Sequence, residues 1–188
     1  IKTSWKKDII TKSGHLIYLG IFTRGDLYRS TKKYIPNNST RLLSSNPFGD
    51  EINIGRILPS YFMEWKYPVV SPNGHTIIEP IVNFTLAPSD KEYLKIPNED
   101  SIAFELNSVN ILDTDRIQGF DRWEYGNRIN YGLQVSHFWG ERVIKALLAQ
   151  SYRFSELNYS NTGNGLRKKF SDLIFDIFYK PNKNLVLS

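Results

Sequence analysis

The chain has 188 residues, no cysteine, 40% hydrophobic and 14% aromatic residues, and a formal charge of +5. That size and composition suit one domain with a substantial core and exclude a disordered chain, while the missing cysteine excludes a disulfide framework and a thiolate zinc site. No apolar run approaches the roughly 18 residues of a membrane-crossing helix, although a wall built of strands needs none.

Period-2 alternation with β-branched and aromatic residues predicts strands at about 2–11, 15–30, 54–70, 75–88, 123–139, 142–154 and 168–180, and another from about 184. Their lengths suit a tilted strand crossing a bilayer, which takes about 9–11 residues. Lys12-Ser13-Gly14, Ser71-Pro72-Asn73-Gly74, Gly140-Glu141 and Pro181-Asn182-Lys183-Asn184 are tight joints rich in turn formers. Between them lie long loops at about 31–53, 89–122 and 155–167. In an up-and-down antiparallel meander this strict alternation puts every long loop on one edge. Outer-membrane barrels have that asymmetry. The fold expected is therefore all-β, an antiparallel up-and-down meander forming part of an outer-membrane β-barrel.

Charge is segregated along the chain. Ser89–Arg122 holds eight acids against four bases and carries −4, which leaves +9 on the remainder. A positive field attracts any polyanion, so charge by itself does not choose a partner.

The strand over 123–139 has two distinct faces. Trp123, Tyr125, Ile129, Tyr131, Leu133, Val135 and Trp139 form a greasy face with aromatic ends, expected to meet lipid. Glu124, Arg128, Asn130 and Gln134, with Lys66 on another strand, are expected to face a watery lumen. Asn127 sits awkwardly on the greasy side. Arg128 and Lys66 could contact an anionic ligand, while the simpler reading pairs Arg128 with Glu124 four residues away. His15–Ser30 and Arg142–Phe154 are apolar on both faces, which implies contact with a plug, a neighbouring domain or a packed interior. Pro59, Pro68 and Pro80 each lack a ladder donor and belong at strand ends, bulges or weakly paired edges. Gly126, Gly132 and Gly140 repeat on one face, as if to make room inside a curved sheet.

Catalytic and metal chemistry is sparse. His15, His75 and His137 have no ligand spacing, and no GxSxG, Walker or GxGxxG motif occurs. Glu99, Asp100, Asp113 and Asp115 lack the dense spacing of a calcium loop; Asp–Arg pairing, such as Asp121 with Arg116 or Arg122, is the expected role of these acids. No catalytic residue, metal or cofactor is expected.

Several stretches match one family in order. ILPSYFMEWKYPVVSPNG (57–74), HTIIEPIVNFTLAPS (75–89), IPNEDSIAFE (96–105) and DRIQGFDRWEYGNRINYGL (115–133) resemble the C-terminal barrel domain of the LPS-assembly protein LptD family, also called organic solvent tolerance protein, in its alphaproteobacterial form. SDLIFDIFYKPNKNL (171–185) fits the family's strand-turn pattern. The loop part of the resemblance rests on Asn98, Glu99, Asp100, Ser101, Arg116, Gly119 and Asp121. The resemblance implies a non-enzymatic outer-membrane segment of a Gram-negative bacterium that helps carry lipopolysaccharide (LPS) into the outer leaflet. Implied partners are LPS, outer-membrane lipid, an LptE-like lipoprotein plug and an LptA-like periplasmic bridge, with no nucleic acid among them. Residues 1–188 then read as a partial barrel domain. The start at Ile1 and the lack of a signal peptide read as a fragment of something longer. The alternative from another class is a soluble β-rich module binding an acidic polymer, with Trp123, Tyr125 and Tyr131 buried between two sheets.

Overall fold

Alternating side chains need two different surroundings, and the chain arranges them on the two faces of one sheet. A computed structural model describes residues 1–30, 33–34, 48–49, 52–88, 96, 105–114, 116–117, 119–154, 168–182 and 185–187. In chain order the strands are β1 Lys2–Ile10, β2 Leu16–Ser30, β3 Lys33–Tyr34, β4 Phe48–Gly49, β5 Ile52–Lys66, β6 Val69–Val70, β7 Thr76–Leu86, β8 Arg128–Trp139, β9 Arg142–Arg153, β10 Ile174–Asn182 and β11 Leu185–Leu187. The main sheet runs β1-β2-β5-β7-β8-β9-β10-β11, with β6 also on β7, and β3 pairs with β4 in a small separate ladder. All pairings are antiparallel, and β3–β4 keeps the register of the β2–β5 hairpin. The expected antiparallel meander is what the chain forms.

Tight turns join β1 to β2, β6 to β7, β8 to β9 and β10 to β11, all on one edge of the sheet. Gly14 at φ 87° and Gly74 at φ 72° take the left-handed conformation that two of these turns need. The long connections leave the opposite edge.

One face of the sheet carries Ile21, Ile57, Tyr61, Met63, Ile78, Leu86, Tyr131, Leu133, Leu148, Phe175 and Ile177, all exposed, with Ile57 at 74% and Phe175 at 64%. Contiguous exposed apolar surface of this kind marks a contact with another protein or with a membrane. Lys7 on the edge strand and Arg29 at the far end of β2 interrupt it. Near the tight-turn edge it is banded by aromatics. His15 stacks on Tyr67 at 4.5 Å and lies 5.9 Å from Trp65, while Trp139 lies 4.9 Å from His137 and 6.4 Å from Tyr179. Tyr152, Phe154 and Phe170 cluster toward the other edge, at 4.7–5.4 Å. The opposite face, called inner below, is substantially buried and rich in polar groups, with Arg24, Arg56, Ser60, Asn83, Thr85, Arg128, Asn130, Ser136, Ser151 and Arg153 on it beside the apolar Leu58, Ile81 and Ala149.

Prolines fall where the ladder is already weak. Pro68 sits in the break between β5 and β6, and Pro80 lies opposite that break, where the Tyr67 amide donates to the Pro80 carbonyl at 3.3 Å. Pro59 is paired only on its β2 side, since β7 joins β5 from Tyr61 onward.

Two strand starts differ from the sequence expectation. β10 begins at Ile174 rather than 168, with Phe170 making a single bridge to Tyr152. β8 begins at Arg128 rather than Trp123, because Gly126 turns the chain at φ 95° and ends the extended run. Gly126 therefore serves the backbone rather than making room in the sheet. Gly132 does make room: a Cβ there would lie 2.9 Å from the Leu148 carbonyl oxygen and 3.0 Å from the Ala149 Cβ. We predict that Gly132→Ala destabilises the sheet by about 1–3 kcal/mol through this backbone clash, whereas Gly25→Ala, with nothing within 4 Å, changes stability by less than about 0.5 kcal/mol. Denaturant unfolding in detergent compares them, and equal effects would contradict the close approach of β8 and β9.

Candidate functional site

Buried arginine on a sheet face requires partners, because a desolvated guanidinium costs several kcal/mol unless it is paired. The described residues of 105–127, all but 115 and 118, supply many of them by folding back over the inner face. We call this segment the lid. Leu106 and Ile111 pack with Ala149 in a small apolar cluster joined by Leu112, Tyr125, Leu147 and Ile174. Trp123, 2% exposed, stacks on Phe22 of β2 at 5.3 Å with the rings 7° from parallel. The apolar residues on both faces of β2 and β9 are thus explained by a packed interior of the chain's own making.

Two polar anchors hold the lid. At the first, the buried Glu124 carboxylate is shared by three arginines from three elements. Arg116 of the lid donates from Nε to Oε2 at 2.9 Å and from Nη2 to Oε1; Arg128 of β8 places Nη2 3.5 Å from Oε2; Arg153 of β9 brings Nη2 against Oε1. All four side chains are at most 2% exposed. Arg128 also donates to the Thr114 carbonyl. At the second anchor, Asp26 Oδ2 lies 2.7 Å from Arg24 Nε in an ion pair and accepts from Arg56 Nε at 2.9 Å. This orients both guanidiniums toward the lid backbone: Arg56 donates to the carbonyls of Phe120 at 2.8 Å and Asp121 at 3.2 Å, and Arg24 to that of Arg122 at 3.2 Å. Tyr28 Oη donates to the Phe120 carbonyl at 2.5 Å, and the Phe120 ring lies between Lys2 and Arg24, at 4.6 and 5.5 Å.

Next to the lid lies an open cavity of about 430 Å³ on the inner face, lined by Lys2, Ser4, Lys6, Asp8, Glu64 and Asn83 among others, and by Leu112, Asp113 and Thr114 of the lid. Asp113 is pushed above the usual carboxylate range, chiefly by desolvation, with Arg116 opposing and Glu64 adding to the rise. Chemically the inner face offers cationic and hydrogen-bonding groups suited to anions.

The sequence candidates divide as follows. Arg128, Asn130 and Gln134 lie on the inner face of β8; Asn130 accepts from Ser151 Oγ at 2.6 Å. Glu124 joins them from the lid rather than from the strand, and its pairing with Arg128 is present. Lys66, also on the inner face, pairs with Glu64 at 2.9 Å. Ile129, Tyr131, Leu133, Val135 and Trp139 line the outer face, with Tyr131 Oη donating to Gln150 at 2.6 Å. Trp123 and Tyr125 do not: they precede β8, Trp123 under the inner face and Tyr125 against the apolar cluster there. Neither is sandwiched between two sheets. Asn127 is likewise outside the strand, its Oδ1 accepting from the Ala87 amide at 3.3 Å. Within the loop motif, Gly119 turns at φ 100°, Arg116 is engaged by Glu124 and Asp121 gives its carbonyl to Arg56. Asn98, Glu99, Asp100, Ser101 and Asp115 lie outside the described residues. Reasoning from sequence missed Arg24, Asp26, Arg56 and Arg153. Alternation signals a polar inner face, but only long-range register brings these four to the lid.

Because Trp123 is packed under the inner face, Trp123→Ala should cost about 3–5 kcal/mol, measured by denaturant unfolding in detergent. A loss below about 1 kcal/mol would place Trp123 on a surface instead.

No curated protein matches the chain. A family model does, described as LptD, LPS transport system D, over residues 1–188. By that match along its full length, the chain belongs to the LptD family.

Proposed function

We propose that residues 1–188 are part of the wall of an outer-membrane β-barrel in a Gram-negative bacterium, where they take part in moving LPS through the wall's polar interior and inserting it into the outer leaflet. Family membership supports a role in LPS transport. The observation that carries the finer reading is the two-faced sheet: a continuous apolar face banded by aromatics against a face holding arginine, asparagine and serine. Hydrocarbon suits the first and a wet lumen the second. Lys2, Lys6, Lys66 and Arg128, on the inner side, would meet the anionic head group. The chain is read as a transport component rather than an enzyme. An LptE-like plug and an LptA-like bridge are the partners this reading assigns.

Brominated lipid tests the assignment. Single-tryptophan variants of the full protein retaining Trp65 or Trp139 should be quenched in bilayers brominated near the interface, and the variant retaining Trp123 should be quenched much less. Equal indifference of all three, with the protein monodisperse in buffer without detergent, would favour a soluble module.

A further inference from the structure

The Glu124 cluster resembles an occupied anion site. Three guanidiniums converge on one carboxylate in a fully buried setting, and guanidinium forks bind phosphate in the same geometry as carboxylate. Two of the three, Arg128 and Arg153, belong to adjacent wall strands and face each other in register. The anion is supplied by the lid, as is Arg116. The site therefore has a fixed cationic half and a detachable half.

The adjoining cavity gives a ligand a route to it. Thr114 lines the cavity, and its carbonyl is held by Arg128. Asn83 also lines the cavity; its Oδ1 accepts from Thr85, which pairs with Arg128 across the β7–β8 ladder. Lys2 and Lys6 stand on the far side of the same space. A phosphorylated head group entering there would be drawn by the two lysines and brought against the part of the lid that Arg128 secures.

We propose that Arg128 and Arg153 form a phosphate-accepting site that Glu124 fills while the lid is seated, so that an arriving phosphate competes with Glu124 and releases the lid from β8 and β9. This rests on the LPS-transport reading and adds to it the site at which the head group acts on the wall. The lid's polar hold on the wall then rests on the second anchor, Arg24 and Arg56 on the carbonyls of 120–122, and on the bond from Asn83 Nδ2 to the Leu112 carbonyl at 2.9 Å. Release is a swing about that anchor, with no covalent step.

Hydrogen exchange on the full protein in detergent reads the lid directly. In Glu124→Gln the amides of 105–127 should exchange at least about tenfold faster than in the wild type, with those of β7 and β8 unchanged, since a neutral amide cannot hold three guanidiniums. Phosphorylated LPS added to the wild type should produce the same local acceleration, and enzymatically dephosphorylated LPS should not. A lid in Glu124→Gln as protected as in the wild type would overturn the latch. So would a wild-type lid unchanged by LPS that co-purifies with the protein. The wild-type comparison decides the matter if Glu124→Gln does not fold. Absence of any LPS binding, measured by co-purification, would instead remove the transport reading and leave the Glu124→Gln result to judge the latch alone.

Discussion

A β-strand shows successive side chains to opposite sides, and nearly everything here follows from giving those two sides different surroundings. The outer positions of β5, β7, β8 and β10 can be apolar almost without interruption because none of the described residues covers them. The inner positions can hold arginine, asparagine and glutamate because something does. A one-residue slip anywhere would exchange the two sets, and the continuous registers from β1 to β10 show that no such slip occurs.

Arginines on the inner face create the second constraint. Four of them, Arg24, Arg56, Arg128 and Arg153, are buried; Asp26 of β2 meets part of the need of the first two, and the remaining donors look beyond the sheet, whose carbonyls are committed to the ladder. The lid answers this with one carboxylate and a run of backbone carbonyls. It adds apolar contacts as well, Trp123 on Phe22 and Leu106 and Ile111 around Ala149. A segment seated partly by buried charge, beside an open cavity, is one that another anion can contest. Were the seat a hydrophobic core, anions would have no purchase on it.

Much of the sheet was legible because it is local. Turn chemistry at Lys12-Ser13-Gly14 and Ser71-Pro72-Asn73-Gly74, and alternation in β7 and β8, depend on neighbours in sequence. The lid was not legible for the opposite reason. Trp123, Tyr125 and Asn127 continue the alternation of β8 backward without a visible seam, and the break is one glycine whose positive φ is silent in composition. Asn127 was the residue that did not fit, and it lies outside the strand. For Glu124 the i,i+4 spacing supplies Arg128 alone, whereas Arg116 arrives through the lid's turn and Arg153 across the β8–β9 ladder.

The central claim is that the two faces of β8 meet two different solvents. Cysteine placed singly along β8 measures it, since the chain has no cysteine of its own. In cells carrying the full protein in the membrane, a small water-soluble maleimide should label position 134, which is only part-buried on the inner side, and spare 131, 133 and 135. Uniform labelling, or labelling of the odd positions, would contradict the account.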